Sequence, residues 1–127
     1  MQFASGQSIY LQISDYISEK ILRGDWAEGD RIPSIRETAV SVEVNPNTVT
    51  RAYAVLQDEG ILQNQRGVGY FVAAGGREAA AALKRREFEE DELPRVFRTM
   101  RLLGMSLAEL EHLYERYITE EESERHD

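Results

Sequence analysis

The chain contains no cysteine, so disulfide bonds and thiolate chemistry are excluded and a reducing compartment is permitted. It also has no apolar run long enough to span a membrane, and residues 1–6 lack the basic and apolar regions of a secretory signal. These absences favour a soluble, cytoplasmic protein. At 127 residues the chain is long enough for one ordinary domain, or for a small domain with an appendage.

Catalytic and cofactor-binding patterns are missing as well. The two histidines, His112 and His126, have no cysteine and no acidic residue at metal-ligand spacing beside them, so no metal site is predicted. No serine, histidine and acid combine into a hydrolytic set. Gly67-x-Gly69 lacks the third glycine and the following helix of a phosphate-binding loop. We therefore predict a protein that is not an enzyme and that needs no cofactor.

The most informative stretch contains two helix starts a short distance apart. Ser34 and Glu37 form an S-x-x-E capping box, and Asn45-Pro46 marks a second start, with proline where its missing N–H costs nothing. The predicted helices, 35–42 and 46–59, are joined by a few residues around Glu43, which is the spacing of a helix-turn-helix. The first turn of the second helix carries side chains of the kind that read bases or bind phosphates: Asn47, Thr48, Thr50 and Arg51.

A glycine turn between two β-prone runs predicts a hairpin over about 61–72. A hairpin directly after a recognition helix is a wing. Its glycines would let the backbone approach a duplex closely, and its arginine would enter a minor groove or bind a phosphate. Together with the cap of the second helix and the start of the first, the predicted DNA-binding residues are Arg36, Asn45, Asn47, Thr48, Thr50, Arg51, Arg66, Gly67 and Gly69.

Residues 9–72 resemble the winged helix-turn-helix of the GntR family of bacterial transcription regulators. The resemblance rests on three motifs, which are Gly29-Asp30-Arg31-Ile32-Pro33-Ser34-Ile35-Arg36-Glu37, Asn47-Thr48-Val49 and Gly67-x-Gly69-x-Phe71-Val72. Residues 45–53 are similar to the YtrA-like subfamily. Pro46 stands where many other members have an arginine, so that base contact is not carried over. The resemblance implies a winged domain followed by a short dimerising helical region, without a large effector domain.

The second half of the chain reads as helices with apolar stripes. Small residues at 73–76 predict a linker, which divides the chain into a DNA-binding domain, 1–75, and a helical dimerisation region, 76–127. Pro94 is expected to end or kink a helix over 77–92, and residues 120–127 are expected to form a frayed tail. The stripes supply more apolar surface than one short helix pair can bury, which predicts a two-fold interface formed by Val96, Phe97, Met100, Leu103, Leu107, Leu110, Leu113, Tyr114 and Tyr117.

The charge balance weighs against a nucleic-acid partner and has to be reconciled with the motifs. The net charge is -8, and residues 1–75 carry 6 basic and 9 acidic side chains, whereas nucleic-acid binders are usually basic. Convergence of Arg36, Arg51 and Arg66 on one surface would still produce a local positive field. We therefore expect weak binding to random DNA and salt-sensitive binding to a specific site.

The sequence as a whole predicts a mainly α fold with a small β wing, that is, a winged helix-turn-helix followed by a short helical dimerisation region. The predicted function is a sequence-specific transcription regulator, a repressor, that binds double-stranded DNA as a homodimer on a palindromic operator. Two alternatives stay open. One is a winged helix that binds a protein rather than DNA, and the other is a sensor that holds an unknown small-molecule effector between the dimer helices.

Overall fold

The computed structural model describes residues 7–126. Residues 1–6, on which the expectation about a signal sequence rests, and Asp127 lie outside the described part. In chain order the elements are α1 (Ile9–Leu22), α2 (Ile35–Val42), α3 (Pro46–Asp58), β1 (Leu62–Gln65), β2 (Gly69–Val72), α4 (Gly76–Glu87), a π-helical turn (Phe88–Glu92), α5 (Leu93–Leu103) and α6 (Leu107–His126). This order confirms the mainly helical fold with a two-stranded wing. Contacts divide the chain into two compact units, one ending at Arg86 and the other beginning at Glu87.

A single isoleucine stripe fixes α1 against the rest of the first unit. Ile13, Ile17 and Ile21 recur at one-turn spacing and are at most 1% exposed. Ile9, which the spacing places on the same stripe, is instead exposed at the start of the helix. The stripe packs mainly on α3. It forms the centre of a core that also draws on α2, the wing and α4.

The turn between α2 and α3 is closed by a residue in the left-handed conformation. Ser34 and Glu37 form both halves of the predicted capping box at the start of α2, with N···O distances of 3.0 and 3.1 Å. At the other end Glu43 adopts φ 57° and ψ 52°, and the Val44 N–H donates to the Ala39 carbonyl at 3.0 Å. Left-handed backbone costs a non-glycine residue about 1–2 kcal/mol. The hydrogen bonds and buried residues on both sides of the turn hold Glu43 there.

The segment that precedes α2 pairs with strand β2 of the wing. β1 and β2 pair antiparallel over all four residues of each strand. Arg31 forms a further antiparallel bridge with Phe71, and the Ile32 N–H donates to the Tyr70 carbonyl at 2.9 Å. Residues 29–32 therefore connect the wing directly to the start of the helix-turn-helix.

The composition predicts that the first unit ends at the small-residue segment. In the structure, the contacts of the first unit continue through α4 to Arg86. Ala80 is completely buried and Leu83 is 7% exposed, and both belong to the core of the winged fold. The predicted boundary after residue 75 therefore differs from the contact boundary. The reason is that a largely polar helix can dock through a few apolar residues, here Ala79, Ala80 and Leu83, two of which are inconspicuous alanines.

The small residues before α4 serve close packing as well as chain reversal. A Cβ atom added to Gly76 would lie 2.7 Å from the Ile61 carbonyl oxygen and 3.0 Å from a Val72 methyl group. Gly75 adopts φ 76°, which glycine reaches without steric cost. The glycine pair thus lets α4 begin against the backbone that leads into the wing.

The second unit consists of the π-helical turn, α5 and α6. Pro94 is near the start of α5, directly after the π-helical turn. Proline has no N–H for the carbonyl four residues earlier and its ring crowds that position, so the preceding backbone departs from regular α-helix. Gly104 ends α5 in the left-handed conformation. The acidic tail, in contrast, stays helical to His126, with Arg116–Glu120 and Arg125–Glu121 ion pairs along it.

Candidate nucleic-acid interface

The first turn of α3 presents polar groups that are organised by its cap. Asn45 Oδ1 accepts a hydrogen bond from the Asn47 N–H at 2.8 Å, with Pro46 at the first helical position. The Asn47 side chain is exposed, whereas Thr48 is half-buried. Thr50 Oγ1 donates to the Pro46 carbonyl at 3.0 Å. Because its proton is engaged there, the Thr50 hydroxyl faces solvent as an acceptor, and Asn47 is the most available donor of this turn.

The opposite face of α3 is buried, which fixes the direction in which the polar face points. Val49, Ala52, Tyr53 and Leu56 are each 0% exposed. Helical geometry then turns Asn47, Arg51 and Ala54 toward solvent, and all three are exposed. The short Ala54 side chain would allow this face to approach another surface closely.

A buried tyrosine ties α3 to the helix before it. The Tyr53 hydroxyl donates to the Pro33 carbonyl at 2.7 Å and lies 2.8 Å from Thr38 Oγ1. Its ring meets Tyr70 of the wing edge to face, with centroids 4.8 Å apart. Burial raises the pKa of Tyr53 to about 12, with the Thr38 hydrogen bond acting in the opposite direction. One side chain thus joins α3, α2 and β2.

The wing tip has the glycines that the sequence singles out. Gly67 adopts φ 78°, and Arg66 beside it is exposed. A Cβ added to Gly69 (φ 150°) would lie 2.9 Å from Arg31 Nε. Glycine at this position therefore leaves room for the Arg31 side chain along the wing.

Arg31 and Val68 are wing residues absent from the predicted contact set. Arg31 is exposed, and its charge also contributes to lowering the pKa of Glu37, after the hydrogen bonds from Ser34. Val68, at the tip, is 54% exposed. Arg31 belongs to one of the sequence motifs, but its position beside the wing depends on its pairing with Phe71, which is not local in sequence. Arg36, at the start of α2, is exposed as expected.

The contact boundary also changes the net charge of the first unit. Residues 1–86 carry 10 basic and 10 acidic side chains, so the first unit is formally neutral and residues 87–127 hold the entire net charge of -8. Three of the acids are paired with α4. Lys84 Nζ lies 3.5 Å from Glu19 Oε1 and 3.9 Å from Asp15 Oδ1, and Arg86 Nη2 lies 3.2 Å from Glu59 Oε1. The acidity that opposed DNA binding therefore belongs to the second unit.

In the second unit, none of residues 87–125 is buried. The predicted interface residues all lie on α5 or α6. Several of them line the groove between these two helices, which has a volume of about 360 Å³. Leu103, Leu107, Tyr114 and Tyr117 are 62–74% exposed. Leu102, which is not among the predicted residues, is 87% exposed. It is outside the predicted set because it lies off the stripe shared by the other apolar residues of α5.

The part of the chain that the structure describes holds neither a metal site nor a membrane-spanning helix. Over residues 7–126, no group of histidine, aspartate and glutamate side chains is arranged to hold a metal ion. Within the same residues, no helix combines the length and the apolar character that crossing a membrane requires.

Comparison with known proteins gives one consistent result. Residues 9–72 match the model of the bacterial regulatory proteins of the gntR family. The chain is 44% identical over 72 residues to the HTH-type transcriptional regulator YhcF of Bacillus subtilis, covering 57% of this chain and 60% of that protein. It is 40% identical over 73 residues to the HTH-type transcriptional repressor YtrA of the same organism, covering 58% of this chain and 56% of YtrA. The match therefore spans somewhat more than half the length of these relatives.

A solved structure extends the likeness beyond the matched segment. A protein described as a GntR-family transcriptional regulator from Bacteroides thetaiotaomicron aligns with a TM-score of 0.72 at 41% identity, covering 90% of this chain and 99% of that one. The similarity thus includes helices that follow the wing. These relatives are transcription regulators and not enzymes.

Proposed function

Since the chain belongs to the gntR family of bacterial regulatory proteins and is a DNA-binding regulator, we propose that it is a cytoplasmic repressor that binds a palindromic operator as a homodimer. The observation that carries the proposal is the polar first turn of α3. It is exposed opposite a fully buried face, in a unit that is formally neutral. The likeness to YtrA, which is named a repressor, supports the direction of regulation.

Each predicted contact residue receives a role from its surroundings. Asn47 reads a base edge from the exposed first turn of α3, with half-buried Thr48 beside it. Asn45 is primarily the cap, because its side-chain oxygen is engaged by Asn47 N–H. Thr50 contributes an acceptor. The cationic and glycine positions hold phosphates or line a groove: Arg36, Arg51, Arg66, Gly67 and Gly69.

The homodimer is proposed from the second unit. A helical unit in which no residue from 87 to 125 is buried has no core of its own, and exposed apolar surface of this extent marks an interaction site. A second copy would cover α5 and α6 with the same residues, as a two-fold interface requires. DNA binding is thereby assigned to the first unit and dimerisation to the second.

The apolar groove between α5 and α6 supports one second candidate, a regulator whose dimer interface holds a small-molecule effector. Native mass spectrometry of the purified protein tests it. A retained ligand that dissociates when Met100→Ala widens the groove would favour the sensor. A ligand-free dimer would instead indicate that helices of the second copy fill the groove.

Selection of bound fragments from random duplexes tests the main proposal. We expect enrichment of two inverted half-sites spaced by about one helical turn or a multiple of it. The triple variant Arg36→Glu, Arg51→Glu, Arg66→Glu should lose this binding, because phosphate contacts become repulsions. Arg23→Glu is the matched control, since Arg23 is an exposed arginine of the same unit that pairs with Asp25. A triple variant that binds normally would instead favour the protein-interaction alternative.

A further inference from the structure

A tyrosine outside the helix-turn-helix lies against one of the proposed contact arginines. The Arg51 guanidinium carbon is 4.2 Å from the centroid of the Tyr10 ring, within the range of a cation–π interaction. Tyr10 is half-buried on the first turn of α1 and packs against the core, whereas Arg51 is exposed on α3. A ring anchored in the core therefore supports a long side chain at the surface.

The backbone positions of the pair are fixed by a neighbouring contact. The Ser14 hydroxyl, one turn after Tyr10, lies 2.9 Å from the Tyr10 carbonyl and 3.4 Å from the carbonyl of Ala52, the residue after Arg51. Ser14 is buried, so this contact sets the register of α1 against α3. The alignment of ring and guanidinium follows from the packing of the two helices and does not depend on surface side chains alone.

Stacking leaves the hydrogen-bonding edge of a guanidinium free. All five N–H donors of arginine lie in the guanidinium plane, while the aromatic ring occupies its face. Arg51 has no hydrogen bond or ion pair with any residue between 7 and 125. From these contacts we propose that Tyr10 is a positioning residue for DNA binding, which holds Arg51 with its N–H edge presented to the phosphate or base that Arg51 contacts.

This inference rests on the proposed function, because it assumes that Arg51 touches DNA. Its physical basis is preorganisation, since a long side chain loses rotamer freedom when it binds, and a side chain that is already ordered loses less. Removing the ring should weaken binding through Arg51 alone. A purely structural role for Tyr10 would weaken binding whether Arg51 is present or not.

A double-mutant cycle on the full-length protein tests the proposal, with a duplex selected from random DNA as the probe. Tyr10→Leu should reduce affinity about two- to fivefold per half-site, which is the size of an exposed cation–π interaction. Tyr10→Phe should bind like the wild type because the ring is kept. In the Arg51→Ala background, Tyr10→Leu should have no further effect on affinity.

Tyr16→Leu is the matched control, because Tyr16 is another half-buried tyrosine of α1 with a cation, Lys20, 5.5 Å from its ring. It should leave DNA affinity unchanged, and thermal unfolding should show that each variant is folded under the binding conditions. Equal losses from Tyr10→Leu with and without Arg51 would overturn the positioning role while leaving the DNA contact intact. Unchanged affinity in Arg51→Ala would instead refute the contact itself.

Discussion

Removing the Tyr53 hydroxyl is the sharpest test of how the helix-turn-helix is held together. Tyr53→Phe keeps the ring and its edge-to-face contact with Tyr70 but removes the hydrogen bond to the Pro33 carbonyl and the one shared with Thr38. Thr38 is buried, so its hydroxyl would lose a partner away from water. We expect the free energy of unfolding to fall by about 1–3 kcal/mol at neutral pH.

The same substitution should change the alkaline limb of the stability profile. An unfolded tyrosine releases its proton near its ordinary pKa of 10.0, whereas folded Tyr53 retains it to about 12. Between these values the folded state binds more protons than the unfolded state, so stability is lost as pH rises. For this pair of values, Tyr53 accounts for a loss of about 1 kcal/mol between about pH 9 and pH 11.

Urea denaturation of the wild type and Tyr53→Phe at several pH values between about 8 and 11 measures both effects. The difference in stability should be largest near the lower end of this range and should shrink toward the upper end, because the variant lacks the titrating group. Adding Thr38→Val to the Tyr53→Phe variant should be nearly neutral, since both polar partners are then gone. Parallel profiles for the two proteins, or a variant as stable as the wild type at the lowest pH, would refute the reasoning.

Four further predictions concern DNA binding, assembly and stability. Asn47→Ala should cost about 1–3 kcal/mol on the selected operator and little on random DNA in fluorescence anisotropy, and equal losses on both would mean that Asn47 contacts only the backbone. Neutralising Arg36 or Arg66 should lower the salt slope of binding by about one unit per phosphate contact, whereas an unchanged slope would place that arginine away from DNA. A chain ending at Glu87 should stay folded, become monomeric in light scattering and lose most affinity for two half-sites but little for one. A chain ending at Gly76 should be less stable by at least about 1.5–3 kcal/mol, because it lacks Leu83. A dimer of the chain ending at Glu87 would contradict the role given to α5 and α6.

The helix-turn-helix was predictable because its signals are local. The capping box at Ser34 and the Asn45-Pro46 start lie within a few residues of the backbone groups that they satisfy, and α2 spans the predicted residues. The hairpin follows for the same reason, since its turn is marked by glycines with positive φ. The buried face of α3 then follows from helical periodicity alone.

The features that sequence reasoning missed depend on contacts between distant residues. The bridge from Arg31 to Phe71 and the stacking of Arg51 on Tyr10 each join parts of the chain about 40 residues apart. The docking of α4 rests on Ala80 and Leu83, which look unremarkable in an alanine-rich segment. No local pattern carries this information, because it is created only when the core forms.

The division of charge between the two units has a kinetic consequence. DNA is a dense polyanion, so long-range forces repel a unit of charge -8 and act little on a neutral one. If the first unit binds DNA as proposed, encounters led by the second unit should be repelled within a Debye length of the duplex, whereas those led by the first unit should proceed to contact. We therefore expect the chain to lack the rapid capture that a basic surface would give. We also expect it to spend little time on random sequence, where a basic protein would be held by the many competing sites of a genome.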